Sequence, residues 1–270
     1  MLMREIETEK IPDCLSVVIP VFNEERTLPV VVAKLLQVPH LFEVIIVDDC
    51  STDRTEEIAK MLAAENPVIR YVRQEQNMGK TAALRTGFAL TSGEIVIVQD
   101  ADLEYDPADI PEVINPILEG YADVVYGSRF MVRRAARVLY FYHYLANKGL
   151  TFISNLLTNL NMTDVETCYK AFRGEIIRNL IITSTGFGFE IEVTAKVAKL
   201  KCAFYEVPIS YFGRTYEEGK KITYRDGVAA LFYILRFNIF CSREESFKSI
   251  PQISAIKPVA LNQSNEQQHQ

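Results

Sequence analysis

The sequence lacks an apolar run long enough to cross a lipid bilayer. The longest candidate, GVAALFYILRFNIF, falls short of the roughly 20 residues of a spanning helix and contains Arg236. The N-terminal MLMREIETEK carries charges but no apolar core, which argues against a secretory signal peptide. We therefore expect no membrane span and a cytoplasmic location.

Paired cysteines and an excess of positive charge are also missing. The five cysteines are scattered, odd in number and without C-x-x-C spacing, which favours a reducing compartment and argues against a zinc site. The formal net charge of -6 argues against nucleic acid as a partner, because proteins that bind phosphate backbones are usually basic.

The glycine patterns of two common nucleotide sites are absent. NMGKTAALRTG contains GKT, but a P-loop needs a glycine five residues before Gly79, where the chain has Gln74. No G-x-G-x-x-G follows an early strand, and Gly186 and Gly188 stand alone. The sequence therefore supports neither a P-loop nor a dinucleotide fingerprint.

What the N-terminal half does contain is a regular alternation of strand and helix patterns. Apolar runs such as LSVVIPVF, FEVIIVDD and EIVIVQD have the profile of strands buried on both faces, and helical patterns separate them. This alternation predicts an α/β domain with a parallel sheet covered by helices. In such sheets ligands bind beyond the carboxyl ends of the strands, where the loops PVFNEE, VDDCSTD and QDADLEYD are polar and acidic.

The pattern divides the 270 residues into one main domain and three smaller parts. We predict an N-terminal extension over 1–13, the α/β domain over 14–225 and an amphipathic helical segment over 226–245. The segment 246–270, which ends in NQSNEQQHQ, has few apolar groups to bury, so we predict that it is a disordered tail.

Acidic residues crowd the end of the strand Ile95–Val98. Asp100 and Asp102, at positions i and i+2, point to the same side of an extended backbone and could hold one Mg²⁺ or Mn²⁺ that a diphosphate completes. The alternative is a solvated turn in which the aspartates cap the chain. Because two neighbouring loops are also polar, we favour the metal site.

The ordered motifs PVFNEE, VDDCSTD, N-x-G-K, DADLEYDP, GSR and GFGFEIE resemble those of family 2 nucleotide-sugar glycosyltransferases. They are most similar to the polyprenyl-phosphate (dolichol-phosphate) mannosyl- and glucosyltransferases, over about residues 14–225. The resemblance implies a GT-A fold, which is a Rossmann-like, mostly parallel central sheet with helices on both faces, here followed by a C-terminal helical segment. It also implies an inverting, metal-dependent hexose transfer.

The resemblance assigns roles to residues that match the family's motifs. The nucleoside and ribose would contact Pro20, Val21, Asn23, Glu24, Val47, Asp48 and Asp49. The metal would bind Asp100, Asp102 and Glu104, with Ala101 against the diphosphate-ribose, and the phosphates would contact Arg129, Arg214 and Lys220. Glu192, with Glu190 beside it, matches the family's acid, although both could merely complement a helix N-terminus.

Two departures from the family's motifs concern the first strand and the acceptor region. Phe22 replaces a common tyrosine, which removes a hydroxyl but keeps the ring, and TCYKAFR replaces the usual SGF-type segment. The second departure leaves the acceptor open.

Three functions remain open at this point. The first is transfer of a hexose from a UDP- or GDP-sugar to a polyprenyl phosphate, and the second is transfer to a soluble or saccharide hydroxyl. The third is a non-catalytic nucleotide-sugar sensor. A dehalogenase-type phosphatase also uses D-x-D, but its aspartate follows the first strand, which here ends in PVFN.

Two further segments carry predictions. RFMVRRAAR with the following YFYHY, and GVAALFYILRFNIF, could contact a membrane surface and present a lipid phosphate to Arg129 and Arg214. Alternatively, the aromatic residues are core and the arginines form a solvated face. GRTYEEGKKITYRDG, which contains Lys220, is predicted to form a mobile loop that closes over the bound donor.

Overall fold

The computed structural model describes residues 12–131, 140–214 and 224–252, with the backbone only at 224 and 225. The strands of this part of the chain are β1 (Leu15–Val21), β2 (Leu41–Asp48), β3 (Ile69–Arg73), β4 (Ile95–Val98), β5 (Val124–Ser128), β6 (Lys170–Arg173) and β7 (Phe204–Pro208). Its α-helices are α1 (Leu28–Leu35), α2 (Thr55–Glu65), α3 (Lys80–Leu90), α4 (Ile110–Leu118), α5 (Phe141–Thr158), α6 (Gly174–Asn179), α7 (Phe189–Ala198) and α8 (Tyr224–Ile239). Short 3-10 turns occupy Pro107–Asp109 and Glu244–Ser246.

The strands form one sheet in the order β3-β2-β1-β4-β6-β5-β7. Neighbouring strands are parallel except where β6 runs antiparallel to β4 and to β5. The predicted mostly parallel α/β sheet is therefore confirmed. Because β2, β1 and β4 are adjacent and parallel, their carboxyl ends meet at one edge, and the three acidic loops follow them there.

The central strands are buried on both faces because their residues are almost all apolar and β-branched. Every residue from Leu15 to Ile19 is buried, as is β4. Helix α3 lies very close to β1: a Cβ atom at Gly87 would come within 2.3 Å of Val18 Cγ1. The absence of a side chain at Gly87 thus lets the helix approach the sheet, and Lys80, at the start of α3, is held at the acidic edge.

Strand β6 is the main feature that the alternating pattern did not predict. It forms from KAFR, and it pairs with β4 in the register Ile95 to Arg173 and Ile97 to Ala171. Because the two strands are antiparallel, the residues just before Lys170 lie beside the end of β4. Glu166 and Cys168 are therefore brought to the same edge as Asp100.

The first residues of the predicted tail over 246–270 pack against the fold, and residues 253–270 lie outside the described ranges. Phe247 is 3% exposed and forms an isolated bridge with Leu180, while Ile181 donates a backbone hydrogen bond to Ser246. The ring of Phe247 supplies the apolar area that this otherwise polar segment buries against the fold. The helical segment predicted over 226–245 is α8, which begins at Tyr224, ends at Ile239 and packs against α5 and α7.

Replacing Phe247 with alanine should lower the free energy of unfolding by about 3 kcal/mol, because it removes a buried aromatic ring. Phe240→Ala is the matched control, since that ring is 79% exposed and should change stability by less than about 0.5 kcal/mol. Urea denaturation measures both. Equal midpoints for the two variants would show that the segment after Ser246 does not contribute to the fold.

Candidate active site

A cavity of about 790 Å³ opens at the carboxyl edge of β1, β2 and β4. This volume is within the range of small-molecule sites. Its walls combine residues from the three acidic loops, from the segment before β6, from the start of α7 and from helices α5 and α8. The lining residues that the sequence predicted are Pro20, Val21, Glu24, Asp49, Asp100, Ala101, Asp102, Glu104, Arg129 and Arg214.

Asp49 organises the side of the cavity predicted for the nucleoside. Its carboxylate accepts hydrogen bonds from the backbone N–H of Met78 and of Gly79, at 2.8 and 2.7 Å, and from Gln74 Nε2 at 2.8 Å. Burial raises its pKa, and the two backbone bonds oppose that rise. Its neighbour Asp48 is fully buried and bound to Tyr71 and Ser51, so it belongs to the scaffold.

Two residues predicted for the nucleoside do not line the cavity. Asn23 Oδ1 accepts the backbone N–H of Thr52 at 2.8 Å, so its side chain ties the first loop to the second. Val47 is fully buried within β2. The fold uses both side chains in its own contacts, and the contacts predicted for Asn23 and Val47 with a nucleoside stay predictions.

Lys80 links two carboxylates across the cavity. Its Nζ lies 2.9 Å from Asp100 Oδ1 and 3.0 Å from Glu190 Oε1. The loop before α7 is fixed to the start of α3, since Thr81 donates to Gly186 O through both its backbone N–H and its hydroxyl. This connection holds Glu190 within reach of Lys80.

Arg214 compensates a second group of carboxylates. It binds Asp102 Oδ2 through Nη2 at 2.8 Å, lies 3.6 Å from Glu24 Oε1, and donates its backbone N–H to Glu104 Oε1 at 2.8 Å. Glu104 Oε2 also accepts from the hydroxyl of Tyr211 at 2.8 Å. Burial, followed by the charges of Asp100 and Glu104, raises the pKa of Asp102 to about 7 despite Arg214.

The donor set suits a hard divalent cation. Acids outnumber the lysine and arginine cations Lys80, Arg129 and Arg214 in the cavity. The eight lining carboxylates are those of Glu24, Asp49, Asp100, Asp102, Glu104, Glu166, Glu190 and Asp226. No cluster of three or more His, Cys, Asp or Glu side chains in the described ranges is arranged as a ready metal cage. Mg²⁺ and Mn²⁺ accept one or two carboxylates and take further oxygens from substrate phosphates. Asp100 and Asp102 fit that requirement.

Arg129 forms part of the wall with its charge already paired. Its Nε and Nη2 bind the two carboxylate oxygens of Asp164, both at 2.7 Å, and its guanidinium lies over the Tyr211 ring at 5.2 Å. The fork-shaped ion pair fixes the guanidinium plane. Arg129 lines the cavity, as the motif predicted, with Asp164 as a partner that the sequence did not indicate.

The prediction that Glu192 is the acid of the site is corrected by its position. Glu192 is fully buried and binds Lys196 Nζ at 2.5 Å and the backbone N–H groups of Thr183 and Ser184. Although burial opposes it, the bonds from Lys196 and Ser184 lower its pKa. Residues i and i+2 of a helix point to different sides, so Glu190 is the one that lines the cavity.

Lys80 and Glu166 are site residues that the sequence reasoning missed. Lys80 belongs to GKT and to the N-x-G-K motif without a role of its own there, although its place at the start of a helix beside an acidic loop is a usable signal. Glu166 had no local signal, because it reaches the site only through the reversed direction of β6. Lys220 and the part of its predicted loop over 215–223 fall outside the described ranges, as do Arg133, Arg134 and Arg137. The end of that predicted loop, from Tyr224, is the start of helix α8.

Helices α5 and α8 form the mouth of the cavity and carry exposed apolar side chains. Tyr142, Leu150 and Ala230 line the cavity, and the two helices pack against each other. Their exposed large hydrophobic residues are Phe141, Tyr142, Tyr144, Leu145, Phe152, Leu156, Leu157, Val228, Leu231, Phe232, Leu235 and Ile239. We call this set the α5–α8 surface. Neither helix, nor any other in the described ranges, has the length and hydropathy of a membrane span.

The fold and the site define a GT-A glycosyltransferase class. The chain is similar to the crystal structure of glucosyl-3-phosphoglycerate synthase from Mycobacterium tuberculosis in complex with Mn²⁺, UDP and glucosyl-3-phosphoglycerate. The TM-score is 0.64 at 24% identity, over 84% of this chain and 80% of that one. This likeness establishes the fold.

The sequence profile "Glycosyl transferase family 2" matches residues 16–181, more than half of the chain, and the chain belongs to that family. It is 31% identical over 211 residues to the dolichol-phosphate mannosyltransferase of Pyrococcus furiosus, which covers 76% of this chain but 58% of that relative. It is 29% identical over 209 residues to the undecaprenyl-phosphate mannosyltransferase of Micrococcus luteus, which covers 75% of this chain and 85% of that relative. The resemblance inferred from the motifs is confirmed.

Exchanging each glutamate of α7 for glutamine should separate a structural role from a site role. Glu192→Gln should lower the free energy of unfolding by about 3 kcal/mol or more, because it leaves the Lys196 charge buried without its partner. Glu190→Gln should change stability by less than about 1 kcal/mol, because Lys80 keeps Asp100 as a carboxylate partner. Urea denaturation of the two variants provides the comparison. A loss at Glu190 as large as that at Glu192 would contradict these roles.

Proposed function

We propose that this protein transfers a hexosyl group from a nucleoside diphosphate sugar to a polyprenyl phosphate, with a divalent metal and with inversion at the anomeric carbon. The observation that carries the proposal is the cavity in which Asp100 and Asp102 lie beside Lys80 and Arg214, at the edge of the sheet where donors bind. The relatives named for lipid-phosphate acceptors support the choice of acceptor.

The donor would lie along the acidic edge. Pro20, Val21 and Asp49 would contact its nucleoside, and Asp100 and Asp102 would hold Mg²⁺ or Mn²⁺, with Glu104 close by. The bound metal would supply Lewis-acid stabilisation of the departing diphosphate. A diphosphate carries more negative charge than a lone carboxylate. Arg214, now bound to Asp102, and Lys80, now bound to Asp100, would therefore also bind the oxygens of the diphosphate.

The acceptor chemistry fits a phosphate nucleophile. A phosphate monoester has a second pKa of about 6, so its oxygen is largely ionised at neutral pH and needs no strong general base. The phosphate would approach Arg129 from the mouth formed by α5 and α8, with its lipid chain along the α5–α8 surface. This arrangement implies peripheral contact with the cytoplasmic face of a membrane.

A second candidate is transfer to a hydroxyl acceptor. The observation that favours it is Glu190, whose Oε1 is bound by Lys80 and whose Oε2 has no hydrogen-bond partner among the described residues. A hydroxyl must lose its proton during attack, and a carboxylate in the cavity could accept it. The two candidates differ in one measurement, which is whether product forms with a polyprenyl phosphate or only with saccharides.

Asp102→Asn should weaken Mn²⁺-dependent binding of the nucleoside diphosphate by about 100-fold or more, because it removes a metal ligand worth several kcal/mol. Titration calorimetry with UDP and GDP, with and without Mn²⁺, measures this loss. Asp13→Asn, at an exposed position away from the cavity, is the control and should bind as the parent does.

The matching turnover assay uses the sugar conjugate of the better nucleotide and a short polyprenyl phosphate. Donor binding without transfer to lipid or saccharide, and without slow donor hydrolysis, would identify a sensor. Full transfer by Asp102→Asn would contradict the metal site.

Membrane contact through the α5–α8 surface should depend on its aromatic residues. Phe152→Ser combined with Phe232→Ser should weaken flotation with anionic vesicles by roughly tenfold or more, because each exposed ring would otherwise be transferred to the lipid. Phe42→Ser is the control, since Phe42 is 45% exposed on β2. Unchanged flotation of the double variant would contradict this mode of contact.

A further inference from the structure

Glu166 is a cavity carboxylate to which the proposed donor and acceptor contacts give no role. It lies four residues before β6 and lines the cavity. Its Oε1 atom is buried and has no hydrogen-bond partner in the part of the chain that the structure describes. Buried carboxylate oxygens are almost always bonded, so an orphan oxygen at a cavity wall indicates a donor supplied by a ligand.

Glu190 provides a second oxygen of the same kind in the same cavity. Lys80 binds its Oε1 at 3.0 Å, and its Oε2 is buried without a partner in the described ranges. The two carboxylates act on each other electrostatically: burial first, and then the charge of Glu190, raises the pKa of Glu166 to about 7. Glu166 is therefore an ionised acceptor above that pH.

The cations that face Glu166 are already engaged. The guanidinium of Arg129 is bound by both oxygens of Asp164. Lys170 donates to Val165 O at 2.8 Å and lies 3.6 Å from the centre of the Tyr126 ring. Asp164 also faces Glu166. Because the nearby cations are already bonded, Glu166 is left free to accept a hydrogen bond.

The position of this region relative to the acidic edge indicates which part of a ligand it meets. Lys80 joins Glu190 directly to Asp100, so the orphan oxygen of Glu190 lies next to the place proposed for the diphosphate. The group attached to that diphosphate is the sugar. Its hydroxyls are hydrogen-bond donors that two carboxylates can accept.

We propose that Glu166, together with Glu190, accepts hydrogen bonds from hydroxyl groups of the donor sugar and thereby selects a neutral hexose over a uronic acid. This inference rests on the proposed function, because it requires a nucleoside diphosphate sugar in the cavity. A uronic acid carboxylate would face two carboxylates and lose affinity by like-charge repulsion.

The first test is binding to the unmodified protein with Mn²⁺. The probes are UDP, UDP-glucose and UDP-glucuronate, and in parallel GDP, GDP-mannose and GDP-mannuronate. For the nucleotide that binds, and at a pH above the pKa of Glu166, the uronate conjugate should bind at least about tenfold more weakly than the hexose conjugate. A uronate that binds as tightly as the hexose overturns the inference without any variant.

The second test compares Glu166→Gln with the parent protein. The ratio of the affinities for hexose conjugate and bare nucleotide should fall by about tenfold, because an amide accepts a hydroxyl less strongly than a carboxylate does. The affinity for the bare nucleotide should stay unchanged. Glu175→Gln, an exposed glutamate on α6, is the matched control and should keep the parental ratio.

Monodeoxy donors sharpen the second test. A donor that lacks the hydroxyl bound by Glu166 should bind the parent protein about tenfold more weakly than the full donor does. Glu166→Gln should bind that analogue and the full donor with equal affinity. The inference is wrong, and the proposed function stands, if every monodeoxy donor loses as much affinity for Glu166→Gln as for the parent. The same holds if Glu166→Gln lowers the affinity for the bare nucleotide as much as that for the sugar conjugate. If the parent binds neither UDP nor GDP with Mn²⁺, the proposed function fails and the inference fails with it.

Discussion

The repulsion among the carboxylates at one edge of the sheet is the constraint on which the site depends. Glu24, Asp102 and Glu104 surround the single guanidinium of Arg214, and Lys80 holds Asp100 and Glu190 apart from them. Burial and then the charges of Asp100 and Glu104 raise the pKa of Asp102 to about 7, so added positive charge would stabilise the ionised arrangement. The surplus of acid suits a cation at this edge and, in the proposed function, a diphosphate held through that cation.

The rest of the fold keeps this edge in place with charges that are internally paired. The buried pair of Glu192 and Lys196 anchors the start of α7, and Asp164 fixes the guanidinium of Arg129 at the opposite wall. Both pairs are withdrawn from solvent, so removing one partner would leave a buried charge uncompensated. These two pairs hold the cavity wall in place. The carboxylates that face the cavity are only partly compensated and remain able to bind a ligand.

The mouth of the cavity joins two environments. Its inner side is lined with acids and bases, and its outer side is the α5–α8 surface, which exposes rings such as Phe152 and Phe232 to solvent. An exposed apolar surface next to a polar cavity suits a ligand with a charged head and a hydrocarbon chain. The same helices therefore connect the proposed phosphate chemistry with the proposed lipid.

The sequence by itself determined the features that depend on local period. Alternating apolar runs required a mostly parallel sheet, and Asp100 and Asp102 had to follow β4 at its ligand-binding edge. Tertiary structure alone decided which distant side chains meet. The antiparallel β6 brings Glu166 into the same cavity as Asp100, and the rotation of helix α7 turns Glu190 rather than Glu192 toward the cavity. Periodicity fixes the direction of a side chain relative to its own element, whereas its partners depend on how the elements pack.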